Sequence, residues 1–298
     1  MKTFKEKLHI GLNQEIKIKN ILINRKSNFQ KIEIFDTLTY GRVLALDGVI
    51  QVTEKDEYAY SEMLVHPAMQ ALSKKDKKIL IIGGGDGAVA EEVLKYNDIR
   101  SIDLVDIDKE VVDLSKKYFK KINNNSLISK KLNLFYEDAF KFIDKNQNSY
   151  DLIIADRPDP IGAGKSLYKS NFYKKIKNIM SESSIAIFQS GVPFLQKKEL
   201  DEVIKEVKRY FKYYGFYLTV VPSYIGGFMA LVWASNDYNL LKKRNFFLNK
   251  NIKITKKNQN QWESVIIPKP PPLTGVLSET IFIYLNFFWY VKIWSWHT

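Results

Sequence analysis

The segment Lys78-Ile-Leu-Ile-Ile82-Gly83-Gly-Gly85-Asp86-Gly87-Ala88 constrains this chain most. A short apolar run of buried-strand type passes directly into a glycine turn, and Val89, Val93 and Leu94 follow at helical spacing. Strand, glycine turn and helix form the opening unit of a nucleotide-type α/β sheet. The glycines, Gly83 and Gly85 above all, let the backbone approach a ligand closely, and the helix start offers free N–H groups. Roughly 20 residues further on, Ser101-Ile-Asp-Leu-Val105 reads as a second strand ending at Asp106, where a carboxylate accepts both hydroxyls of a ribose. Lys131-Leu-Asn-Leu-Phe135 leads to Asp138, a position suited to an adenine amino group. Tyr150-Asp-Leu-Ile-Ile-Ala-Asp156 then delivers Asp156 and Asp159 into a Gly/Pro-rich loop that runs to Tyr168. In an open parallel sheet, ligands sit beyond the carboxyl ends of the strands. Asp86, Asp106, Asp138 and Asp156 all fall at such ends, although Asp159-Pro160 alone is also a turn starter.

The periodicity divides the chain. Ile16/Ile18, residues 31–35 and residues 41–46 read as short strands, the last meeting an Asp47-Gly48 turn. From Glu57 to about Asp237, strands alternate with helices. The expected organisation is a small antiparallel β-domain over 1–56, a Rossmann-like, methyltransferase-type doubly wound domain over 57–250, and an atypical tail over 251–298. His66 before Pro67 reads as a helix start.

Composition sets bounds on function. The absence of cysteine removes disulfides, thiol nucleophiles and Cys-ligated metals, and His9, His66 and His297 are too scattered to suggest a metal site. The net charge of +13 raises a nucleic-acid reading. Against it, the lysines are spread over polar faces and no basic stripe interleaved with aromatics is evident, so no nucleic-acid partner is expected. The first nine residues alternate charged and apolar side chains without a hydrophobic stretch, which points to a cytoplasmic protein. Pro268-Lys-Pro-Pro-Pro272 is a stiff spacer before a run rich in Trp and Phe. Glu279 and Lys292 leave that run too short to span a bilayer, so membrane contact is not favoured.

Taken together, Gly83-Gly-Gly-Asp-Gly87, Asp106-Ile-Asp108, Glu137-Asp-Ala139 and Asp156-x-x-Asp159-Pro160 resemble the polyamine aminopropyltransferases, the spermidine synthases above all. Phe29-Gln30, residues 39–48, residues 53–63 and Pro222-Ser-Tyr224-Ile-Gly-Gly227 are similar to the same family, so the likeness runs from about residue 14 to 235. The resemblance implies transfer of an aminopropyl group from decarboxylated S-adenosylmethionine, a cosubstrate, to a diamine such as putrescine. No further cofactor or metal is implied, and the expected assembly is a homodimer or homotetramer. Asp156 would be the general base. Tyr60, Asp159 and Tyr224 would hold the amine, Gln30 and Asp86 the aminopropyl arm, Asp106 the ribose and Asp138 the adenine. The loop 156–168 would close over both substrates, with Gly162 and Gly164 as hinges.

Two departures from the family qualify these expectations. Arg157-Pro158 stands where small hydroxylated residues are usual, so Arg157 would pair with Asp159 or reach a substrate carboxylate. The tail lacks the family's usual segment near residue 260 and reads as a divergent or reading-frame-altered terminus, poorly packed on its own domain or packed only across a subunit contact. An S-adenosylmethionine methyltransferase on the same fold remains an alternative that Asp86 disfavours, because an aspartate there repels the cosubstrate's carboxylate. A catalytically inactive homologue is the other.

Overall fold

The computed structural model describes residues 2–146, 148–160, 162–238, 240 and 282–283. Five strands open the chain: β1 (Thr3–His9), β2 (Leu12–Lys26), β3 (Lys31–Thr37), β4 (Arg42–Leu46) and β5 (Val49–Thr53). They form a meander in chain order, and every neighbouring pair is antiparallel. Asp47 and Gly48, both at positive φ, make the two-residue turn between β4 and β5 that the Asp-Gly pair predicts. One face of this sheet, with Ile32, Ile34, Leu44 and Val52, packs on Val111, Leu114, Phe119 and Ile122 of the following domain. Strand β1 is an addition to the sequence reading. Its inward positions alternate between Phe4 and a buried Glu6, and the carboxylate breaks the apolar alternation by which a strand is recognised.

The second sheet begins after helix α1 (Glu57–Ala71). In order come β6 (Lys77–Gly83), α2 (Ala88–Leu94), β7 (Ile99–Val105), α3 (Lys109–Tyr118), the single turn α4 (Lys120–Asn123), β8 (Leu132–Phe135), α5 (Ala139–Lys145) and β9 (Tyr150–Asp156). A 3-10 helix (Gly162–Tyr168) leads to α6 (Ser170–Asn178), β10 (Met180–Gln189), α7 (Lys197–Tyr210), β11 (Tyr213–Val220) and β12 (Phe228–Ser235). Phe282–Ile283 adds β13, parallel to β11. The remainder of the expected tail, residues 251–281 and 284–298, lies outside the described residues.

The strand order is β13-β11-β12-β10-β9-β6-β7-β8. Strands β6 to β10 are mutually parallel, and β12 runs antiparallel to both of its neighbours. The sheet is therefore mixed at one side, where the sequence reading expected parallel strands. Alternate residues of the central strands feed opposite cores. Ile79, Ile81, Leu152 and Ile154 pack with Leu64, Ala68 and Val89 on the α1 and α2 side. Leu80, Ile82, Ile153 and Ala155 pack with Phe172, Ile176 and Val203 on the α6 and α7 side.

His66 is not at a helix start. It lies inside α1, and Pro67 is an interior proline. Proline lacks the N–H that would bond the carbonyl four residues back, which here belongs to Met63. The Tyr217 hydroxyl of β11 donates to that carbonyl at 2.6 Å, so the break is repaired from the sheet and the helix continues.

Candidate active site

The chain leaves β6 towards β7 and β8, then returns to β9 on the other side of β6. Such a reversal opens a crevice at the carboxyl ends of the two central strands. Gly83 and Asp156 are register partners there. A cleft lies at this point, and Tyr60, Asp86, Asp156 and Tyr224 line it together with Gln51 and Glu57.

Asp156 is the centre of the arrangement. Burial raises its carboxyl to about 7, the negative charge of Asp86 pushes the same way, and the Tyr60 hydrogen bond pulls against both. Tyr60 Oη donates to Asp156 Oδ1 at 2.6 Å. Tyr224 Oη donates to the Gln51 carbonyl at 2.6 Å, and the two phenol rings meet edge-on with centroids 6.1 Å apart. Both phenol protons are thus committed, which leaves the phenol oxygens as acceptors facing the cleft residues. Burial also raises Asp86, although the backbone N–H of Ala88 donates to its carboxylate at 2.8 Å. Three carboxylates, Asp86, Asp106 and Asp156, interact electrostatically across the strand ends. A protein of net charge +13 has thus gathered negative charge and bare acceptors in one depression. Such a site accepts a cation and offers it a proton acceptor.

The other predicted positions lie along or beside this edge. Asp106 is raised to about 6, chiefly by burial, and accepts from the Asp108 N–H at 2.8 Å. Gln30, on the β2–β3 turn, donates its amide to Asp108 Oδ2 at 3.1 Å, which places it at the Asp106 end of the edge. Asp138 caps α5 by accepting from the N–H groups of Phe140 and Lys141 at 2.9 and 3.2 Å. The close approaches at Gly83 and Gly85 are to the protein itself. A Cβ at Gly83 would sit 1.9 Å from the Asp156 carbonyl oxygen, and one at Gly85 2.5 Å from Asp106 Oδ2. Asp159 accepts from Gln196 Nε2 at 2.6 Å, and its carboxyl is raised by burial against that hydrogen bond and the charge of His9. The segment expected as an open loop ends in the 3-10 helix that contains both Gly162 and Gly164.

Several residues here escaped sequence reasoning. Glu57 lines the cleft, bonds the Ser61 hydroxyl at 2.6 Å, and is raised to about 8 by burial against Ser61 donation and with nearby carboxylates adding to the rise. Glu6 and His9 come from β1, more than a hundred residues away in sequence, yet each interacts electrostatically with Asp159. The only available signal was the poor fit of Glu6 to an apolar face. Glu62, His66 and Glu92 form a buried trio joining α1 to α2, with Glu92 Oε2 3.0 Å from His66 Nε2.

Arg157 overturns its expectation. Its guanidinium is buried away from Asp159, bonded to the carbonyls of Gln189 and Leu167 and to the Tyr173 hydroxyl. Side chains alternate across a strand end, so the residue after Asp156 faces the α6 side of the sheet, where aromatic rings receive it.

The fold and the carboxylate-lined reversal define a Rossmann-like, methyltransferase-type α/β protein that carries an added antiparallel sheet at its amino end. The Spermine/spermidine synthase domain matches residues 57–245, and the Spermidine synthase tetramerisation domain matches residues 3–54. Polyamine aminopropyltransferase of Buchnera aphidicola subsp. Acyrthosiphon pisum is 39% identical over 265 residues, covering 89% of this chain and 92% of that protein. The Shigella boydii protein of the same name is 39% identical over 79% of this chain and 82% of its own. Among solved structures, a spermidine synthase in complex with the transition state analogue AdoDATO superposes with a TM-score of 0.78 at 27% identity, over 86% of this chain and 89% of that one. Spermidine synthase from Thermotoga maritima gives 0.75 at 26%, over 86% and 88%. The chain belongs to the spermine/spermidine synthase family and is a polyamine aminopropyltransferase-type enzyme.

Proposed function

We propose that this enzyme transfers the aminopropyl group of decarboxylated S-adenosylmethionine to putrescine, giving spermidine and 5'-methylthioadenosine, with no cofactor or metal taking part. The sulfonium makes the aminopropyl carbon electrophilic, so the protein has to align an amine and remove its proton. The amine nitrogen attacks that carbon, the carbon–sulfur bond breaks, and its electron pair stays on sulfur as a neutral thioether. Asp156 takes the proton that the nitrogen sheds. Tyr60, Tyr224 and Asp159 hold the diamine by accepting from its ammonium groups. Asp86, with Gln30, receives the cosubstrate's amino end, Asp106 the ribose and Asp138 the adenine.

The observation that carries this reading is the half-buried Asp156 carboxyl, held by Tyr60 opposite Asp86 and raised to about 7. A base of that strength is half ionised near neutral pH, where an acid–base catalyst is most effective. The name of the domain matched at residues 3–54 supports an oligomer, which we take to be a homodimer or homotetramer. No helix among the described residues is long and apolar enough to cross a membrane, which is compatible with a cytoplasmic protein.

The test is incubation of the purified chain with putrescine and decarboxylated S-adenosylmethionine, and identification of the product by mass. Spermidine with equimolar 5'-methylthioadenosine is expected. A methylated product from S-adenosylmethionine would overturn the reading, and nucleoside binding without turnover would point to an inactive homologue.

A further inference from the structure

Arg157 follows Asp156 directly and is 2% exposed. Its Nε donates to the Gln189 carbonyl at 3.2 Å, its Nη2 to Tyr173 Oη at 3.0 Å, and its Nη1 to the Leu167 carbonyl. The guanidinium carbon lies 3.7 Å from the Tyr168 ring centroid and within 5.7 Å of the centroids of Phe172 and Phe188. Among the described residues no carboxylate pairs with it. Arginine does not give up its proton in a protein, so a full charge is buried here against ring faces, two carbonyl dipoles and a phenol hydroxyl. Burying a charge in this way carries a desolvation cost that an apolar residue would avoid.

The three acceptors belong to three different segments: the end of β10, helix α6, and the far end of the 3-10 helix. The Tyr168 hydroxyl, under the guanidinium, lies 2.6 Å from Gln189 Oε1 and 3.1 Å from the Pro158 carbonyl. Both ends of the stretch that carries Asp159 are therefore gathered on one cation. We propose that Arg157 is a positioning residue, a buried clasp that fixes the 158–168 segment at both ends and thereby sets where Asp159 stands relative to Asp156 for the amine substrate. A planar fork reaches divergent acceptors at once, whereas the single ammonium of lysine does not. The charge of Arg157 is spent on its own cage, so it leaves the acidity of the cleft to the carboxylates.

The proposal rests on the assignment of Asp159 to the amine. In the full-length protein, Arg157→Ala, Arg157→Gln and Arg157→Lys are compared by amine KM, by kcat, by calorimetric affinity for 5'-methylthioadenosine, and by the rate of tryptic cleavage after the exposed Lys165. All three variants should raise the amine KM by about tenfold or more, with kcat reduced less and nucleoside affinity within about twofold. Cleavage after Lys165 should quicken, and methylguanidinium added to Arg157→Ala should lower both KM and cleavage rate. Should the alanine and glutamine variants fail to fold, the lysine variant carries the test. An unchanged amine KM in any folded variant, an equal loss of nucleoside affinity, or a normal Arg157→Lys protein would overturn the proposal. If the unmutated protein does not use putrescine, the function reading falls. The cleavage rate and its rescue then still decide whether the clasp exists.

Discussion

Tyr60 of α1 donates a 2.6 Å hydrogen bond to Asp156 at the end of β9, across 96 residues of sequence. The bond stabilises the ionised carboxylate, while burial and Asp86 favour the neutral acid. Tyr60 thus sets how much of the Asp156 carboxylate is present at a given pH. Tyr60→Phe should raise the apparent pKa governing the amine reaction and lower turnover about tenfold at neutral pH, with much of the loss recovered in alkali. A pH–rate profile with an unmoved acid limb would contradict this.

The two loop carboxylates should separate kinetically. Asp156→Asn is expected to reduce kcat about 100-fold or more with 5'-methylthioadenosine affinity little changed, because a base acts in the transition state. Asp159→Asn should instead raise the amine KM. Near-full turnover by the Asp156 variant would mean that another group accepts the proton.

Cosubstrate choice is expected to depend on Asp86. In the proposed role its carboxylate would repel the carboxylate of S-adenosylmethionine and attract the decarboxylated form, so the latter should bind at least tenfold more tightly, a gap of ~1.4 kcal/mol. Asp86→Asn should narrow the gap, and calorimetry on both proteins with both nucleosides measures it. Equal affinities in the unmutated protein would remove Asp86 from this role.

Stability should fall as pH rises in the unligated protein. Asp106, Asp156 and Glu57 are raised by burial to about 6, 7 and 8, above their values in an unfolded chain. Their stabilising contributions are complete below the unfolded pKa values and are lost as pH climbs through 6 to 8. The melting temperature should therefore decline from pH 5 to pH 8.5, less steeply in Asp156→Asn, and a bound cationic substrate should offset the decline. A flat or rising profile would show that these carboxyls are solvated.

Removing the Tyr217 hydroxyl tests the repair of α1. Tyr217→Phe leaves the Met63 carbonyl without its donor beside Pro67 and should cost about 1–3 kcal/mol by chemical denaturation, with the pH–rate profile unchanged. Loss below a few tenths would mean that water satisfies that carbonyl.

Local sequence determined the strand–glycine–helix unit at 78–94, the acids at the strand ends and the Asp47-Gly48 hairpin, because these depend on periodicity and on backbone conformations open to few residues. Gly83 is required by the neighbouring strand's carbonyl, which a Cβ would meet at 1.9 Å. The direction of each side chain lay beyond it. Arg157 sits between Asp156 and Asp159 in sequence, yet the alternation at the end of β9 sends it to an aromatic cage on the other face of the sheet. Glu6 and His9 carry no motif, and only the packing of β1 brings them to Asp159, while Glu57, inside the 53–63 stretch, takes its place in the cleft lining only through the packing of α1. A residue type and its spacing state what chemistry a side chain can do. Which charges share a low-dielectric space, and so what pKa each adopts, depends on contacts between segments far apart in the chain, and those exist only in the folded structure.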